Sequence, residues 1–486
     1  MTSVRGASKT GRTSKTSTAT TALVLACTAH FLVVFDTSVI TVALPSVRAD
    51  LGFAPASLQW VVNSYTLAFA GLLLFGGRLA DIHGHRRVFL GGLAVFTLTS
   101  LIGGLATSPA SLIAARAGQG AGAAVLAPLA VTMLTTSFAE GPRRTRALTI
   151  STAVALVGGA SGNLLGGVFT EFLSWRSVLL VNVPIGIPVL FLAARVLAGP
   201  RKRPWGRVRL DLPGAVLATA GLTLLTLGVS QTHEHGWGEA AVAVPLAGGL
   251  LALLAFVVVE ARFAASPLIP PRLFGLPGVG WGNLAMLLAG ASQVPVWFFL
   301  TLSMQHVLGY SAAQAGLGFV PHALVMLVVG LRVVPWLMRH VQARVLIAAG
   351  AAIGALGFWW QSLLTPDSAY LGGILGPAVL ISIGGGLVGT PLARTVTSGV
   401  GPLDAGAASG LMNTTRQFGG AFGLAVLLTV TGSGTSGSPA ELASHYGDAF
   451  VGIAVFMLAI AVLTPVLPAL ARSTPPGVIH VSPVAR

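Results

Sequence analysis

Fourteen stretches of about twenty apolar residues, each closed by a short polar joint, run through the 486-residue chain, and nothing else in it constrains folding so strongly. As an α-helix, such a stretch rises about 30 Å, the thickness of the hydrocarbon core of a bilayer. With that ruler the spanners lie near 21–45, 58–80, 88–107, 110–138, 147–171, 177–197, 212–231, 240–260, 280–306, 313–338, 345–364, 369–393, 408–431 and 448–470. Inside hydrocarbon every backbone N–H and C=O must be satisfied within the chain, so the spanners are predicted to be helices. The expected fold class is an all-α polytopic membrane protein with fourteen transmembrane helices. Only 8% of the residues are charged, against about 25% in soluble domains.

The charges that exist sit in the joints: DIHGHRR at 81–87, EGPRRTR at 140–146, RKRPWGRVR at 201–209 and RHVQAR at 339–344. Alternating the spanners from a cytoplasmic N-terminus puts these clusters on the cytoplasmic side, while Arg48 and Arg176 fall outside and Arg116 and Arg416 fall deep within spanners. The positive-inside rule therefore predicts a multi-pass protein of the plasma membrane with both termini cytoplasmic. It also explains the net charge of +15 without a nucleic-acid partner. Residues 1–20 are polar and read as a tail before a retained first spanner, because the apolar run that follows is too long for a signal peptide. The lone Cys27 has no intrachain disulfide partner, and the pairs His83/His85 and His233/His235 have no further ligands nearby, so no metal or cofactor is expected.

One carboxylate breaks the pattern. Asp36 lies in VVFDTSVITVALP, well inside the first spanner, where an isolated Asp costs roughly 2.5–3.5 kcal/mol. A partner is available in Arg116 of the fourth spanner. Counted from the outer ends of the two segments, the depths of Asp36 and Arg116 differ by about 5 Å at 1.5 Å per residue, within reach of an Arg side chain. Such a pair is either a static packing device or a proton-exchanging group, and intramembrane ionisable residues favour the second reading. Arg416 in the thirteenth spanner either faces a cavity or snorkels. Polar residues that could line a site include Asn63, Gln119, Gln293, Gln305, His306, His322, Asn413 and Gln417.

Internal repetition is weak but placed suggestively. GRLADIHGHRRVFL from Gly77 and PWLMRHVQARVLIA from Pro335 align Asp81 with Arg339 and Arg86 with Arg344. They fall where two six-helix bundles, separated by two extra central spanners, would place equivalent joints. The expected division is a tail at 1–20, a first bundle at 21–197, a linker with two extra spanners at 198–279, a second bundle at 280–470 and a tail at 471–486. On the fifth spanner Gly158, Gly162 and Gly166 recur every four residues, baring a strip of backbone that a neighbouring helix can approach closely.

Five motifs in fixed order resemble those of the major facilitators, specifically the fourteen-spanner drug:proton antiporters, over nearly the whole chain. They are Asp36-Thr37 through Ala43-Leu44-Pro45, QWVVNSYTL with Tyr65, the loop GRLADIHGHRR, LIAARAGQGAGAA around Arg116 and Gln119, and GGASGNLLGG followed by WRSVLLVNVPIG; the thirteenth spanner, GAASGLMNTTRQFGGAFG, fits the same branch. The resemblance implies the major facilitator fold and a proton-coupled secondary active exporter of a small organic molecule, an antibiotic or related drug, working as a monomer. It implies proton coupling at Asp36 and Arg116, and a cytoplasmic conformational latch at Gly77, Asp81, Gly84, Arg86 and Arg87. A helix-packing pivot is implied at Gly158, Gly162, Gly166 and Gly167, and cavity candidates are Asn63, Tyr65, Gln119, Asn163, Asn413 and Arg416. Asn163 stands where the family has Pro, which predicts a straighter fifth helix.

No G-x-x-x-x-G-K-[ST] motif is present, so the expected drive is an ion gradient and not ATP. No acidic or His cluster of an intramembrane enzyme is found. A proton-coupled importer on the same fold and a non-transporting membrane sensor are the alternatives.

Overall fold

The computed structural model describes residues 9–54, 57–138, 141–197, 211–232, 235–264, 267–401, 404–431 and 437–468, the side chains of 9–19, 81 and 142 excepted. Residues 1–8 and 469–486 at the termini lie outside the described residues, as do 198–210 of the linker and His233, whereas the backbone of 9–20, expected as a tail, is helical and continuous with the first spanner.

Fourteen long helical segments are present: α1 (Thr20–Leu51), α2 (Trp60–Ala80), α3 (His85–Gly104), α4 (Pro109–Ser137), α5 (Arg143–Phe172), α6 (Trp175–Val196), α7 (Leu212–Gln231), α8 (Ala240–Phe263), α9 (Pro277–Val307), α10 (Ala312–His340), α11 (Ala343–Gln361), α12 (Leu371–Thr397), α13 (Ala405–Thr431) and α14 (Pro439–Val466). Thirteen are long and apolar enough to cross a membrane. The exception is α13, whose middle carries Asn413, Thr414, Thr415, Arg416 and Gln417 in succession.

Local chemistry sets the ends. α1 continues past Pro45, which the sequence reading took as its outer limit, because a missing N–H costs one bond without ending a helix held by neighbours. It stops at Gly52, whose φ of 69° and bond from its N–H to the Arg48 carbonyl (3.0 Å) form a left-handed cap. Gly84, at φ 85°, makes the break between α2 and α3 that a side chain would strain. Ser108 caps α4 and Ser438 caps α14, each in a capping box with Pro at the first helical position.

Packing repeats itself along the chain. In the first half α1 packs on α5, α2 on α4, α3 on α4, α1 on α4 and α3 on α6. In the second half α9 packs on α13, α10 on α12, α11 on α12, α9 on α12 and α11 on α14. Adding eight to every helix number converts one set into the other. Two six-helix bundles are thus built on one plan, and the α2–α3 and α10–α11 joints occupy equivalent places.

The bundles meet along two seams, α2 with α13 and α5 with α10. On the first, Thr414 donates to the Ala70 carbonyl at 2.9 Å. At the end where α1 and α9 finish, further contacts cross: Gln305 donates to the Val42 carbonyl at 2.9 Å and the Ala313 N–H donates to Glu171 at 2.7 Å. The inserted pair α7 and α8 packs tightly on itself, and α7 leans on α2 and α13. On α8 Val244, Leu250, Leu251, Leu254, Val257 and Val258 are exposed, the apolar surface of a peripheral helix meeting lipid.

Candidate functional site

The glycine strip on α5 is what brings α1 into place. A Cβ at Gly166 would lie 2.5 Å from the Val39 carbonyl oxygen, and one at Gly162 would lie 2.9 Å from that of Phe35. Gly158 likewise faces the Phe31 carbonyl at 3.1 Å. Backbone therefore packs on backbone, and Asp36 on the same turns of α1 is turned into the first bundle. Gly167 belongs to another face of α5: its Cβ position meets the carbonyl of Ala312 on α10, across the bundle seam.

Asp36 is fully buried and Arg116 is 1% exposed. Arg116 Nη1 donates to Asp36 Oδ2 at 2.5 Å and to Gln119 Oε1 at 2.9 Å, while Nε donates to the Val61 carbonyl at 2.9 Å. Gln119, one turn on along α4, uses Nε2 to reach Asp36 Oδ1 at 2.9 Å and Ser100 Oγ of α3 at 2.7 Å. Asn182 of α6 gives Asp36 Oδ1 its second donor at 2.7 Å. The guanidinium lies over the Tyr65 ring, 4.5 Å from its centroid, and the Tyr65 hydroxyl donates to the Val33 carbonyl at 3.3 Å. Thus α1, α2, α3, α4 and α6 all contribute to one carboxylate. Three donors to an ionised oxygen pair in a dry interior offset the desolvation that makes an isolated Asp costly.

Ser100 and Asn182 were not singled out from sequence. The signal for Asn182 was an amide deep in an apolar spanner, beside Pro184, where the helical run is interrupted at Val181. Ser100 carried no signal beyond its depth.

The other expected residues lie elsewhere. Asn63 is buried on another face of α2, donating to Gln59 Oε1 at 3.3 Å and leaving its own oxygen without a partner. Asn163 is buried between α5 and α1, accepting from Thr41 at 3.4 Å. α5 runs unbroken through it, as the absence of Pro predicts. Arg416 is exposed although its backbone is pressed against Gly290 of α9, and its Nη2 lies 3.4 Å from Asn413 Oδ1.

In the α2–α3 joint, the side chain of Asp81 lies outside the described residues. Gly77 has nearly open space around its Cα. Arg87 is exposed, and Arg86 donates to the Ala194 carbonyl of α6 at 2.6 Å, inside its own bundle. The residue of this region that reaches out of the bundle is Arg78, which donates to the Pro267 carbonyl ahead of α9 at 2.5 Å.

In the second bundle His322 of α10 is buried, 3.0 Å from Ser382 Oγ of α12 and edge-on to Trp297 at 4.7 Å. Among the described residues no group of three or more His, Cys, Asp or Glu could hold a metal ion.

Two repeated six-helix bundles with a buried charge network in one of them define a polytopic membrane transporter of the alternating-access type. Residues 26–424 match the Major Facilitator Superfamily. The chain belongs to that family. It is 41% identical over 426 residues to the puromycin resistance protein pur8 of Streptomyces alboniger, covering 87% of this chain and 83% of that protein. It is 30% identical over 420 residues to the tetracenomycin C resistance and export protein of Streptomyces glaucescens, covering 86% and 75%. The crystal structure of an auto-inhibited peptide transporter of the POT family superposes with a TM-score of 0.64 at 16% identity, covering 94% of this chain and 98% of that one. That likeness is one of fold alone.

Proposed function

We propose that the protein is a plasma-membrane antiporter that exports a small organic antibiotic or related drug in exchange for protons. The observation that carries the coupling is the Asp36 network: a titratable group at the centre of one bundle, held by an Arg and two amides from two other helices. The substrate class rests on relatives whose names record resistance to puromycin and resistance to and export of tetracenomycin C.

In this reading both termini are cytoplasmic, as the basic joints favour, so the end where Gln305 meets Val42 and Glu171 meets Ala313 is the outer gate, closed here. The moving bodies are the bundles at 21–197 and 280–470, with 198–279 as the inserted linker. One chain supplies both bundles and both gates, and it works as a monomer. Asp36 takes up its proton when the gate toward the more acidic side opens. The neutral acid frees Arg116 and biases the bundle toward the other arrangement, and drug in the cavity biases it back. Gly77, Asp81, Gly84, Arg86 and Arg87 serve as the cytoplasmic latch, and the α5 glycines as the pivot on which α1 and α10 turn. Asn413 and Arg416 on α13 contact the drug, while the buried Tyr65 and Gln119 act through the Asp36 network and the buried Asn63 and Asn163 through the packing of the first bundle.

Everted membrane vesicles test this with puromycin as probe. Wild-type protein should accumulate puromycin when the lumen is acidified, and Asp36→Asn should abolish accumulation while the protein still reaches the membrane. Accumulation by right-side-out vesicles instead would make it an importer. Unchanged uptake by Asp36→Asn would sink the coupling role.

A further inference from the structure

A second buried acidic pair lies where the inserted helices meet the rest of the molecule. Asp211 caps α7, its Oδ1 accepting from the Gly214 N–H at 2.8 Å. Glu260 sits on the π-turn Val259–Phe263 that ends α8, and its Oε2 accepts from the Ile269 N–H at 3.1 Å. Each acid has one oxygen left, Asp211 Oδ2 and Glu260 Oε1, and both are buried without a hydrogen-bond partner. The residues are 9% and 5% exposed. The two orphan oxygens face each other over Gly214, where a Cβ would lie 2.5 Å from the first and 2.9 Å from the second. Only a glycine leaves room for this approach.

Ionised carboxylates are acceptors alone, so two of them cannot satisfy each other. One proton between them does so at once: it turns one oxygen into a donor and removes one of two like charges from a buried site. We propose that Asp211 and Glu260 share a single proton between Oδ2 and Oε1, forming a second proton-binding site in the inserted helices, separate from Asp36.

Among the described residues, the charged groups on the surrounding elements do not take over this role. Arg262, on the same π-turn, is exposed; Arg272 pairs with Asp404 at 2.8 Å; Arg78 of α2 donates to the Pro267 carbonyl at 2.5 Å. That last bond gives the site its reach. Pro267 is two residues from Ile269, the donor to Glu260, and Ile269 packs in one cluster with Leu268, Leu273 and Leu411. The proton thus fastens the end of α8 to the cap of α7, and through this short segment to α2 of the first bundle. Loss of the proton sets two like charges face to face and loosens that fastening.

The stabilisation is present in acid and is lost as pH rises through the upper ionisation of the pair. Full-length protein in detergent should therefore show it in thermal unfolding from about pH 5 to about pH 8.5. Glu260→Gln supplies a permanent N–H donor to Asp211 Oδ2, and Asp211→Asn keeps the helix cap, so both variants should fold. At the acid end they should match the wild type. At the alkaline end the Glu260→Gln protein should unfold about 2 °C higher than wild type. The carbonyl band of a protonated carboxyl in the infrared spectrum at neutral pH should vanish in Asp211→Asn and in Glu260→Gln and persist in Asp36→Asn. Parallel melting curves for all three proteins, or a band that survives both substitutions, would overturn the proposal. So would a rise in wild-type melting temperature with added sodium or calcium chloride that both variants lack, which would make this a cation site.

Discussion

The two bundles share one packing plan and differ in what they bury. Where α2 meets α4 in the first bundle, Tyr65 lies under Arg116 and the guanidinium reaches Asp36. Where α10 meets α12 in the second, the corresponding helix pair holds His322 against Ser382. Among the described residues the second bundle buries no ion pair, but it has three π-turns, Ser303–Val307, Val329–Val333 and Leu371–Leu375, where the first bundle has none. A π-turn inserts a residue into the helix and leaves its hydrogen bonding locally slack. One skeleton has thus been specialised in two directions: a charge locked by helices without π-turns, and a near-neutral core in helices that can bend.

Substitutions can break this contrast, beginning with the largest effect. Arg116→Ala leaves Asp36 buried without its counterion and should destabilise the protein by about 3–5 kcal/mol as well as abolish proton-driven puromycin uptake. His322→Ala, its counterpart, should cost about 1–3 kcal/mol through the cavity left beside Trp297, Ser382 keeping its bond to the Ala378 carbonyl, and leave uptake coupled to protons. Equal loss of coupling in both would erase the division of labour.

Next come the glycine contacts. Gly166→Ala on α5 and Gly419→Ala on α13 both place a methyl against backbone, 2.5 Å from the Val39 oxygen and on the Leu287 oxygen respectively, so each should cost about 1–3 kcal/mol in thermal unfolding. Only the first shifts α1 and with it Asp36, so only the first should change the pH dependence of transport. Smallest is Arg416→Ala: with its side chain exposed, it should leave melting unchanged and raise the KM for puromycin about tenfold, the size of one lost charged hydrogen bond.

Much of this was legible in the sequence because a membrane permits few solutions. Twenty apolar residues dictate a helix, and an Asp within them demands a partner, so Asp36 and Arg116 could be matched by depth alone. Depth does not give azimuth, which is why Ser100 and Asn182 were missed and why Asn63, two residues from Tyr65, turned out to lie on another face. Gly167 was grouped with Gly158, Gly162 and Gly166, yet one residue is 100° of helix, enough to move it from α1 to α10. Asp211 and Glu260 stand at the ends of two spanners, where a charge by itself points to nothing; what joins them is the hairpin geometry of α7 and α8 around Gly214, which no local pattern records.

The polarity of α13 bears on how the chain sits in its membrane. Five consecutive residues from Asn413 to Gln417 make it, among the described residues, the one long helix not apolar enough to cross a membrane by composition, and its glycines at 419, 420 and 423 are shaped to the backbone and side chains of α9. Its place in the bilayer therefore rests on the helices around it, α9 and α2, and not on its own hydropathy. The second bundle thus holds a slot, shaped by α9, that only its thirteenth segment fills.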